Sequence, residues 1–268
     1  MQHGVCPEAI PALHDNYIWA LRGRGEEARR FAVVDPGEAA AVRAWLRAQQ
    51  AELAAVLITH HHWDHTGGIA ELLREHAVPV YGPAQERAPI PGLSHPLQGG
   101  EQFTIDALGL SFDVVHVPGH TLGAIAFYGH GWLFSGDTLF SAGCGRLFEG
   151  TPAMMHSSLS RLAALPPATQ IFCGHEYTLA NLQFARVVEP DNVAVAQKLA
   201  AVRRLRDRGQ PSLPSTLADE QACNPFLRCA HADVQAAVSE QLGRTVSDEI
   251  ETFAGLRRWK DQFKAPAV

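Results

Sequence analysis

The chain has no cysteine pair at the spacing of a metal or redox motif. Its five cysteines lie at positions 6, 144, 173, 223 and 229, an odd number spread over 268 residues. This argues against a disulfide framework and a four-cysteine zinc site. No segment approaches the roughly 20 consecutive apolar residues of a membrane span. The first residues lack the basic and apolar regions of a signal peptide, so we expect a cytosolic protein with reduced thiols.

Positive charge is scarce in the first two-thirds of the chain. Residues 1–175 hold ten Lys and Arg against sixteen Asp and Glu, whereas residues 176–268 hold twelve of each. An acidic body argues against a general nucleic-acid surface. The residue type in excess is histidine, with 14 in total and four of them within residues 60–65.

The apolar pattern predicts an α/β body followed by a helical part. Short apolar runs rich in β-branched residues and bounded by Gly or Pro predict strands at 31–37, 54–60, 78–82, 110–120, 124–129, 132–138 and 170–176. Helical spacing occurs at 38–50, 67–77 and 152–165, and later at 191–208 behind an Asp cap, 231–243 and 248–263. Over 103–135 the strands follow one another directly, which favours hairpins. We therefore expect two domains, 1–175 and 176–268.

The segment LITHHHWDHTGG, at 57–68, leaves a predicted strand and enters a predicted helix. Residues two apart on an extended backbone point the same way, so His60 and His62 can hold one metal ion together. Asp64 and His65 lie where the chain turns and can face a neighbouring point. His61 and Trp63 face the other way, and we assign them packing or supporting roles. A histidine tag would lie at a terminus and would not include an aspartate after a strand.

Further candidate ligands follow glycines at the ends of apolar runs. VPGHT contains His120, FSGDT contains Asp137 and FCGHE contains His175. With the first cluster they give five imidazoles and two carboxylates, enough for two divalent ions. We expect one ion on His60, His62 and His120, another on Asp64, His65 and His175, and Asp137 between them.

Nitrogen and oxygen ligands without thiolate favour zinc, with iron or manganese as alternatives. Such ions lower the pKa of bound water toward ~7, so hydroxide is available without a covalent nucleophile. Cys144, in GCG at 143–145, lacks the surroundings of a nucleophile, and we assign it no catalytic role.

The pattern THxHxDH at 59–65, followed by GH, GD and GH at 119–120, 136–137 and 174–175, resembles the metallo-β-lactamase superfamily. That resemblance implies an αββα sandwich with a dinuclear site at one edge of the sheets. Other segments resemble the glyoxalase II, or hydroxyacylglutathione hydrolase, family and cover nearly the whole chain: DNY (15–17), GDTLFSAGCGRLFEGT (136–151), GHEYTLANLQFARVVEP (174–190), PSTLADE (214–220), NPFLR (224–228) and RRWKDQFK (257–264).

This resemblance implies the hydrolysis of S-D-lactoylglutathione to D-lactate and glutathione, the second step of methylglyoxal disposal. It implies that Arg146 and Tyr177 hold the glutathione arm and that Arg257 and Lys260 meet its glycine carboxylate. Phe148 stands where the family often has Tyr, which removes a hydroxyl contact. Trp259 stands where a polar residue is common.

The mechanism expected from these residues is attack of a metal-bridging hydroxide on the thioester carbonyl. Asp64 and Asp137 would tune and bridge the metals, and a thiol with a pKa near ~8.5 can leave without a general acid. The expected partner is a small-molecule glutathione thioester bound by a monomer, with neither nucleic acid nor membrane involved. The alternatives are a persulfide dioxygenase or lactonase on the same scaffold, an RNA nuclease, and a non-catalytic metal-binding module.

Overall fold

The computed structural model describes residues 6–23 and 28–264. The start of the first expected domain, at 1–5, and the end of the second, at 265–268, therefore lie outside the described residues. The chain divides into two compact units. The first unit comprises Met1–His116 and Gly123–Gly136, and the second comprises Val117–Leu122 and Asp137–Val268. Within the described part of the chain, no helix has the length and apolar character needed to cross a bilayer.

The first sheet of the first unit has six strands in sequential order. Its first three strands are antiparallel, and each of the next three runs parallel to its predecessor. Parallel neighbours require crossover connections, and helices supply two of them. The strands are β1 (Glu8–Ala12), β2 (Asn16–Arg22), β3 (Arg30–Val34), β4 (Glu52–Leu57), β5 (Val80–Pro83) and β6 (His95–Leu97), and the helices are α1 (Ala39–Gln49), α2 (Trp63–Thr66) and α3 (Ile69–Glu75).

Four further strands of the first unit form an antiparallel meander. They are β7 (Gln102–Ile105), β8 (Leu110–His116), β9 (Ile125–Gly129) and β10 (Trp132–Gly136). The β9–β10 turn consists of His130 and Gly131, both at positive φ (57° and 79°). Tight hairpin turns favour such a pair because it matches the twist of the strands. The hairpins expected over 103–135 are therefore present.

Apolar side chains hold the layers of the first unit together. The ring of Tyr81 on β5 stacks on Phe103 of β7 at 5.0 Å between centroids. Val42 and Leu46 lie one helical turn apart on α1, and both are buried in a cluster with Phe31 of β3. This gives a helix, the first sheet and the antiparallel meander as successive layers of the first unit.

The second unit contains all three helices expected in the C-terminal part. The described elements are β11 (Leu139–Phe140), β12 (Gly143–Cys144), α4 (Pro152–Ala163), β13 (Gln170–Cys173), α5 (Thr178–Val188), α6 (Val193–Arg206), β14 (Ser215–Thr216), α7 (Leu217–Cys223), α8 (Ala232–Leu242) and α9 (Glu249–Gln262). The three expected helices are α6, α8 and α9. Strands β11 and β12 form a short hairpin, and β13 pairs with β14.

One detail of the helical prediction was wrong. The cap of α6 is Asn192 rather than Asp191, because the Asn192 Oδ1 accepts the amides of Ala194 and Val195. On the last helix, α9, Phe253 and Leu256 are fully buried, whereas Ile250 is 42% exposed.

Candidate metal centre

Two of the predicted ligands meet in the loop that follows β4. The His60 Nε2 lies 3.1 Å from the His62 Nδ1, and His60 is buried. Two imidazole nitrogens that face each other at this distance can share a cation, because each offers a lone pair toward the same point. The structure thus brings together His60 and His62, as expected for side chains two residues apart on an extended segment.

A buried carboxylate, Asp35 at the end of β3, orients this loop. Its Oδ1 accepts the amide of Thr59 at 2.8 Å, and its Oδ2 accepts the Thr59 hydroxyl at 2.7 Å. The Thr59 hydroxyl therefore turns its lone pairs toward the His60 Nδ1, 3.0 Å away. That contact places the His60 proton on Nδ1 and leaves Nε2 as a lone-pair donor.

The same carboxylate orients a third ligand. The His65 Nδ1 lies 3.1 Å from the Asp35 Oδ2. A carboxylate only accepts, so the proton is on Nδ1 and the Nε2 of His65 is available to a metal. Ligand atoms of Asp35, His60 and His65 all lie within 4.8 Å of one another. Because the oxygens of Asp35 already accept three hydrogen bonds, we interpret Asp35 as a support for the ligands rather than as a ligand.

Asp64 and His65 lie on the single turn of α2. The Asp64 Oδ2 is 3.6 Å from the His65 Nε2 and accepts the side-chain amide of Asn16 at 3.1 Å. Asn16 also contacts the backbone carbonyl of Asp64, at 3.3 Å. At Gly37 a Cβ atom would lie 1.9 Å from that carbonyl, so only glycine allows the loop after β3 to approach the turn this closely.

The two residues interleaved with the ligands differ in their surroundings. His61 faces the buried carboxylate of Glu86, whose Oε2 lies 2.9 Å from the His61 Nδ1 and accepts the His61 amide at 2.7 Å. The other oxygen of Glu86 accepts the amide of Gly123 at 3.0 Å. Trp63 is 71% exposed, so a packing role for its side chain was wrong.

The remaining three predicted ligands lie together in the second unit. The Asp137 Oδ2 is 3.5 Å from the His120 Nε2 and 3.3 Å from the His175 Nε2, and all three residues are buried. One carboxylate oxygen between two imidazoles is the arrangement expected of a bridging ligand.

Neighbouring groups orient these two imidazoles. The His120 Nδ1 lies 2.8 Å from the carbonyl oxygen of Arg146 and must donate to it, which leaves Nε2 for a metal. The ring of Tyr177 stacks on His175 at 4.7 Å with an interplanar angle of 3°. Phe140 of β11 packs edge-on against the same histidine at 5.9 Å.

The donor chemistry of both groups fits divalent metal ions. Each consists of imidazole nitrogens and carboxylate oxygens, and the protons of three imidazoles are held on Nδ1 by oxygen acceptors. Hydrogen bonds of this kind fix the tautomer and orientation of metal-binding histidines. The described side chains thus form two sets of pre-oriented ligands, four in the first unit and three in the second.

Three residues assigned to the glutathione arm carry accessible side chains in the second unit. The side chain of Arg146 is 68% exposed, and its Nε lies 3.9 Å from a carboxylate oxygen of Asp261. Phe148 is 63% exposed and lies edge-on to His120 at 5.2 Å. Tyr177 is partly exposed beside His175.

The two C-terminal cations, both on α9, are enclosed instead. The buried guanidinium of Arg257 donates to Asp261 at 2.9 and 3.2 Å and to the carbonyl of Cys144 at 2.9 Å. The Nζ of Lys260 donates to the carbonyl of Ala180 at 3.1 Å. Burial, with the charge of Arg257 as a second cause, lowers the pKa of Lys260 to about 8.

Comparison with known proteins places the chain in a family. A family model described as "Metallo-beta-lactamase superfamily" matches residues 26–175, and one described as "Hydroxyacylglutathione hydrolase C-terminus" matches residues 176–263. The hydroxyacylglutathione hydrolase of Alkalilimnicola ehrlichii is 56% identical over 95% of this chain and 98% of its own length. The chain belongs to the hydroxyacylglutathione hydrolase family. The homologue from Halorhodospira halophila is 53% identical with the same coverage.

Solved structures agree with this family assignment at the level of fold. The BLEG-1 B3 metallo-β-lactamase has a TM-score of 0.63 and 24% identity, covering 83% of this chain and 99% of that one. ETHE1 from Myxococcus xanthus has the same TM-score with 20% identity, covering 96% and 100%. TTHA1623 in a di-iron-bound form has a TM-score of 0.58 and 27% identity, covering 83% and 100%. The predicted metallo-β-lactamase-like fold and family are confirmed.

In this hydroxyacylglutathione hydrolase family member the cysteines are poor nucleophiles. Burial raises the pKa of Cys144 to about 11 and those of Cys173 and Cys223 to about 12. These thiols stay protonated at neutral pH, and the thiolate is the reactive form.

Sequence reasoning missed the groups that support the ligands. Asp35 follows an apolar strand but no glycine, whereas Asp137 and His175 each follow a glycine that ends an apolar run. Asn16 lies in the DNY segment, which is noted only as part of the resemblance. Thr59 lies in the THxHxDH pattern but, like Glu86, gives no local sign of the side chains it contacts, because these partners are set by the fold.

Proposed function

We propose that the chain hydrolyses S-2-hydroxyacylglutathione thioesters, with S-D-lactoylglutathione as the characteristic substrate. Water cleaves the acyl carbon–sulfur bond and gives the 2-hydroxy acid, D-lactate in this case, and glutathione. This would make the protein a metal-dependent thioesterase in the second step of methylglyoxal disposal. The observation that carries the proposal is the similarity to named hydroxyacylglutathione hydrolases over both parts of the chain, 26–175 and 176–263.

Seven side chains are proposed to hold two divalent ions. The first ion would take His60, His62 and His120, the second would take Asp64, His65 and His175, and Asp137 would be shared. Two observations support this set. In the first unit Asp35 and Thr59 direct Nε2 of two histidines away from their hydrogen-bonding partners. In the second unit one oxygen of Asp137 lies near two imidazole nitrogens.

Zinc is the proposed metal, with iron and manganese as alternatives. Imidazole and carboxylate ligands accept all three, and no thiolate belongs to the proposed set. The di-iron form of TTHA1623 shows that a protein 27% identical to this chain holds iron. Metal analysis of the purified protein distinguishes the three.

When two divalent ions are bound, they lower the pKa of bound water and polarise a carbonyl oxygen. Asp64 and Asp137 contribute the two negative charges of the proposed ligand set and act as the catalytic carboxylates. Asn16 holds the Asp64 carboxylate at 3.1 Å and thereby fixes its direction. The leaving thiol has a pKa near ~8.5, so it can depart as the thiolate, and no side chain of this chain has to protonate it.

The glutathione arm is proposed to contact Arg146, Phe148 and Tyr177, all of which present accessible surface. Arg257 and Lys260 are proposed to receive the glycine carboxylate. Arg257 is held by Asp261, so it would act as a fixed positive charge, whereas the Lys260 ammonium can donate directly. Phe148 offers an apolar face instead of a hydroxyl. Trp259 packs edge-on against Phe184 at 5.5 Å, which supports a packing role at this position.

We propose that residues 1–175 form the catalytic domain and residues 176–268 the substrate-binding domain. The protein would act as a monomer in the cytosol on a small-molecule substrate, with no nucleic acid or membrane partner. Four of the five cysteines are buried, and the proposed cytosolic location would keep their thiols reduced.

The proposal is tested by the loss of the thioester absorbance of S-D-lactoylglutathione, with and without a chelator, alongside metal quantification. We expect about two metal ions per chain and hydrolysis that stops on chelation and returns with added metal. Asp137→Asn should lower metal content and turnover together, while Asp113→Asn, which removes an exposed carboxylate on β8, should change neither.

Hydrolysis at the full rate in metal-free protein would overturn the metal proposal. Oxygen consumption on glutathione persulfide, or cleavage of a phosphodiester, with no thioester hydrolysis would overturn the substrate assignment.

A further inference from the structure

The second unit buries a carboxylate that the proposed chemistry does not use. Glu220 of α7 has no exposed surface. A buried carboxylate is retained only when its charge is compensated and its oxygens are hydrogen-bonded. The groups that surround Glu220 therefore indicate what it stabilises.

One oxygen of Glu220 collects three donors. Its Oε1 accepts Lys198 at 2.7 Å and the Ser141 hydroxyl at 3.0 Å, and it also accepts the hydroxyl of Ser215. Burial, the largest single cause, acts to lower the pKa of Lys198, but the charge and hydrogen bond of Glu220 together with neighbouring Cys223 and Asp219 raise it, so Lys198 is an ammonium group. Glu220 and Lys198 thus form a buried ion pair.

The other oxygen binds the turn of the β11–β12 hairpin. The Glu220 Oε2 accepts the amide of Ala142 at 2.6 Å. Ala142 has a φ of 54°, a conformation that a residue with a Cβ adopts only when its surroundings hold it there. Ser141 and Ala142 form the whole turn between the two strands, and both donate to Glu220.

Two asparagines complete the support of this hairpin. The side-chain amide of Asn224 lies 3.2 Å from the carbonyl of Phe140, 3.0 Å from that of Gly143 and 3.2 Å from Glu220. Asn181 donates to the carbonyl of Ser141 at 3.0 Å. Each of the four hairpin residues 140–143 therefore contacts a buried polar side chain from α5 or α7, or from the turn after α7.

The hairpin links two residues of the proposed site. Asp137 precedes β11 by two residues, and Arg146 follows β12 by two residues. The amide of Gly145 donates to the carbonyl of Thr138 at 3.2 Å, and Phe140 packs against both His175 and Tyr177. Any shift of the hairpin therefore moves the Arg146 side chain relative to Asp137.

We propose that Glu220 is a positioning residue that fixes the hairpin 139–144 and so sets the distance between Asp137 and the glutathione-binding Arg146. This inference rests on the proposed function. It assigns to Glu220 an effect on recognition of the tripeptide arm and not on stability alone. Asp137 would be held by its metals as well, so the loss of Glu220 would displace mainly the Arg146 end.

Glu220→Gln tests this at nearly constant volume. A glutamine amide has one acceptor oxygen, so its NH2 must face the Ala142 amide or the Lys198 and Ser141 donors. Misplacement of a binding group by about 1 Å costs up to ~100-fold in efficiency, and we expect KM for S-D-lactoylglutathione to rise about tenfold. We expect kcat to change much less. A lactoyl thioester of a small thiol without the tripeptide should show no change in KM.

Glu189→Gln is the matched control. Glu189 is also a buried carboxylate of the second unit, and it is paired with Arg228 at 2.9 and 3.0 Å. Both variants lose a buried ion pair and should melt at lower temperature, but only Glu220→Gln should raise KM. If Glu220→Gln does not fold, Ser141→Ala serves as the test instead. It removes one of the hairpin groups that donate to Glu220 and should also raise KM.

A folded Glu220→Gln protein with unchanged KM would overturn the inference, and so would an equal rise in KM in Glu189→Gln. Hydrogen exchange at the Ala142 amide gives a readout that needs no activity, and it should become faster in Glu220→Gln only. A wild-type protein that hydrolyses no glutathione thioester would overturn the proposed function, while the exchange measurement would still show whether Glu220 holds the hairpin.

Discussion

Replacing Asp35 by asparagine should weaken metal binding although Asp35 is not a proposed ligand. Its carboxylate accepts three hydrogen bonds, at 2.7, 2.8 and 3.1 Å, from Thr59 and His65. The asparagine side chain keeps one acceptor oxygen and gains an NH2. That NH2 must face either the Thr59 amide or both the Thr59 hydroxyl and His65, so at least one donor is left facing another donor.

The expected magnitude follows from these contacts. Loss of a group that orients a metal-binding histidine costs about 10–100-fold in metal affinity, equivalent to about 1.4–2.7 kcal/mol. Asp35 orients His65 directly and His60 through Thr59, so we expect a value near the upper end. A buried donor without an acceptor should also cost about 1–3 kcal/mol of stability in the metal-free protein.

Competition for zinc between the protein and a chromophoric chelator measures this affinity without an activity assay. Asp113→Asn is the control, because the exposed Asp113 accepts from Gln102 at 3.1 Å on β8. A folded Asp35→Asn protein that binds metal as tightly as the wild type would refute the role assigned to Asp35. If the Asp113→Asn control bound metal as weakly as Asp35→Asn, the effect would not be specific to Asp35.

Three further predictions concern the second unit. Burial lowers the pKa of Lys260 to about 8, so its positive charge is lost as the pH rises through that value. KM for S-D-lactoylglutathione should therefore rise above pH 8 in the wild type but not in Lys260→Met. The same dependence of KM on pH in both proteins would contradict this. Cys144→Ala should keep the wild-type kcat, because burial raises the pKa of this thiol to about 11; loss of turnover in a folded variant would revive a catalytic role for the thiol. Phe253→Ala should lower the free energy of unfolding in urea by about 3–5 kcal/mol, because Phe253 is fully buried and packs edge-on against Phe226 at 5.6 Å. Ile250→Ala on the same helix should change it by less than about 0.5 kcal/mol because Ile250 is exposed, and equal losses would contradict the assigned burial.

The sequence predicted most of the regular elements because their hydrophobic periods are clear. Helix α1 repeats buried residues at Val42 and Leu46, and the strand at 132–136 is buried throughout. Helix α5 was missed because it buries polar residues as well as apolar ones, Asn181 and Gln183 among them. Seven of its eleven residues are buried, so its buried surface is wider than the single apolar stripe of an amphipathic helix.

The candidate ligands could be predicted for two reasons. Few residue types bind metals, and a glycine ends the apolar run before several of the candidates. The supporting carboxylates could not be predicted. Asp35 acts through Thr59, 24 residues away, and Glu220 acts through Ser141, 79 residues away. Nothing local in the sequence distinguishes them from ordinary acidic residues, since their partners exist only in the folded chain.

The burial of four cysteines affects how the protein's thiols can react with the thiol product of the proposed reaction. Each proposed turnover liberates one equivalent of a reactive sulfhydryl compound next to the enzyme. The oxidised form of that compound, a disulfide, can exchange with a protein thiol, and the exchange needs an accessible thiolate. Four of the five cysteines are buried, with pKa values raised by burial. Only Cys6, on the surface, could be modified. The four buried thiols are therefore protected from exchange with the oxidised form of the glutathione that the enzyme releases.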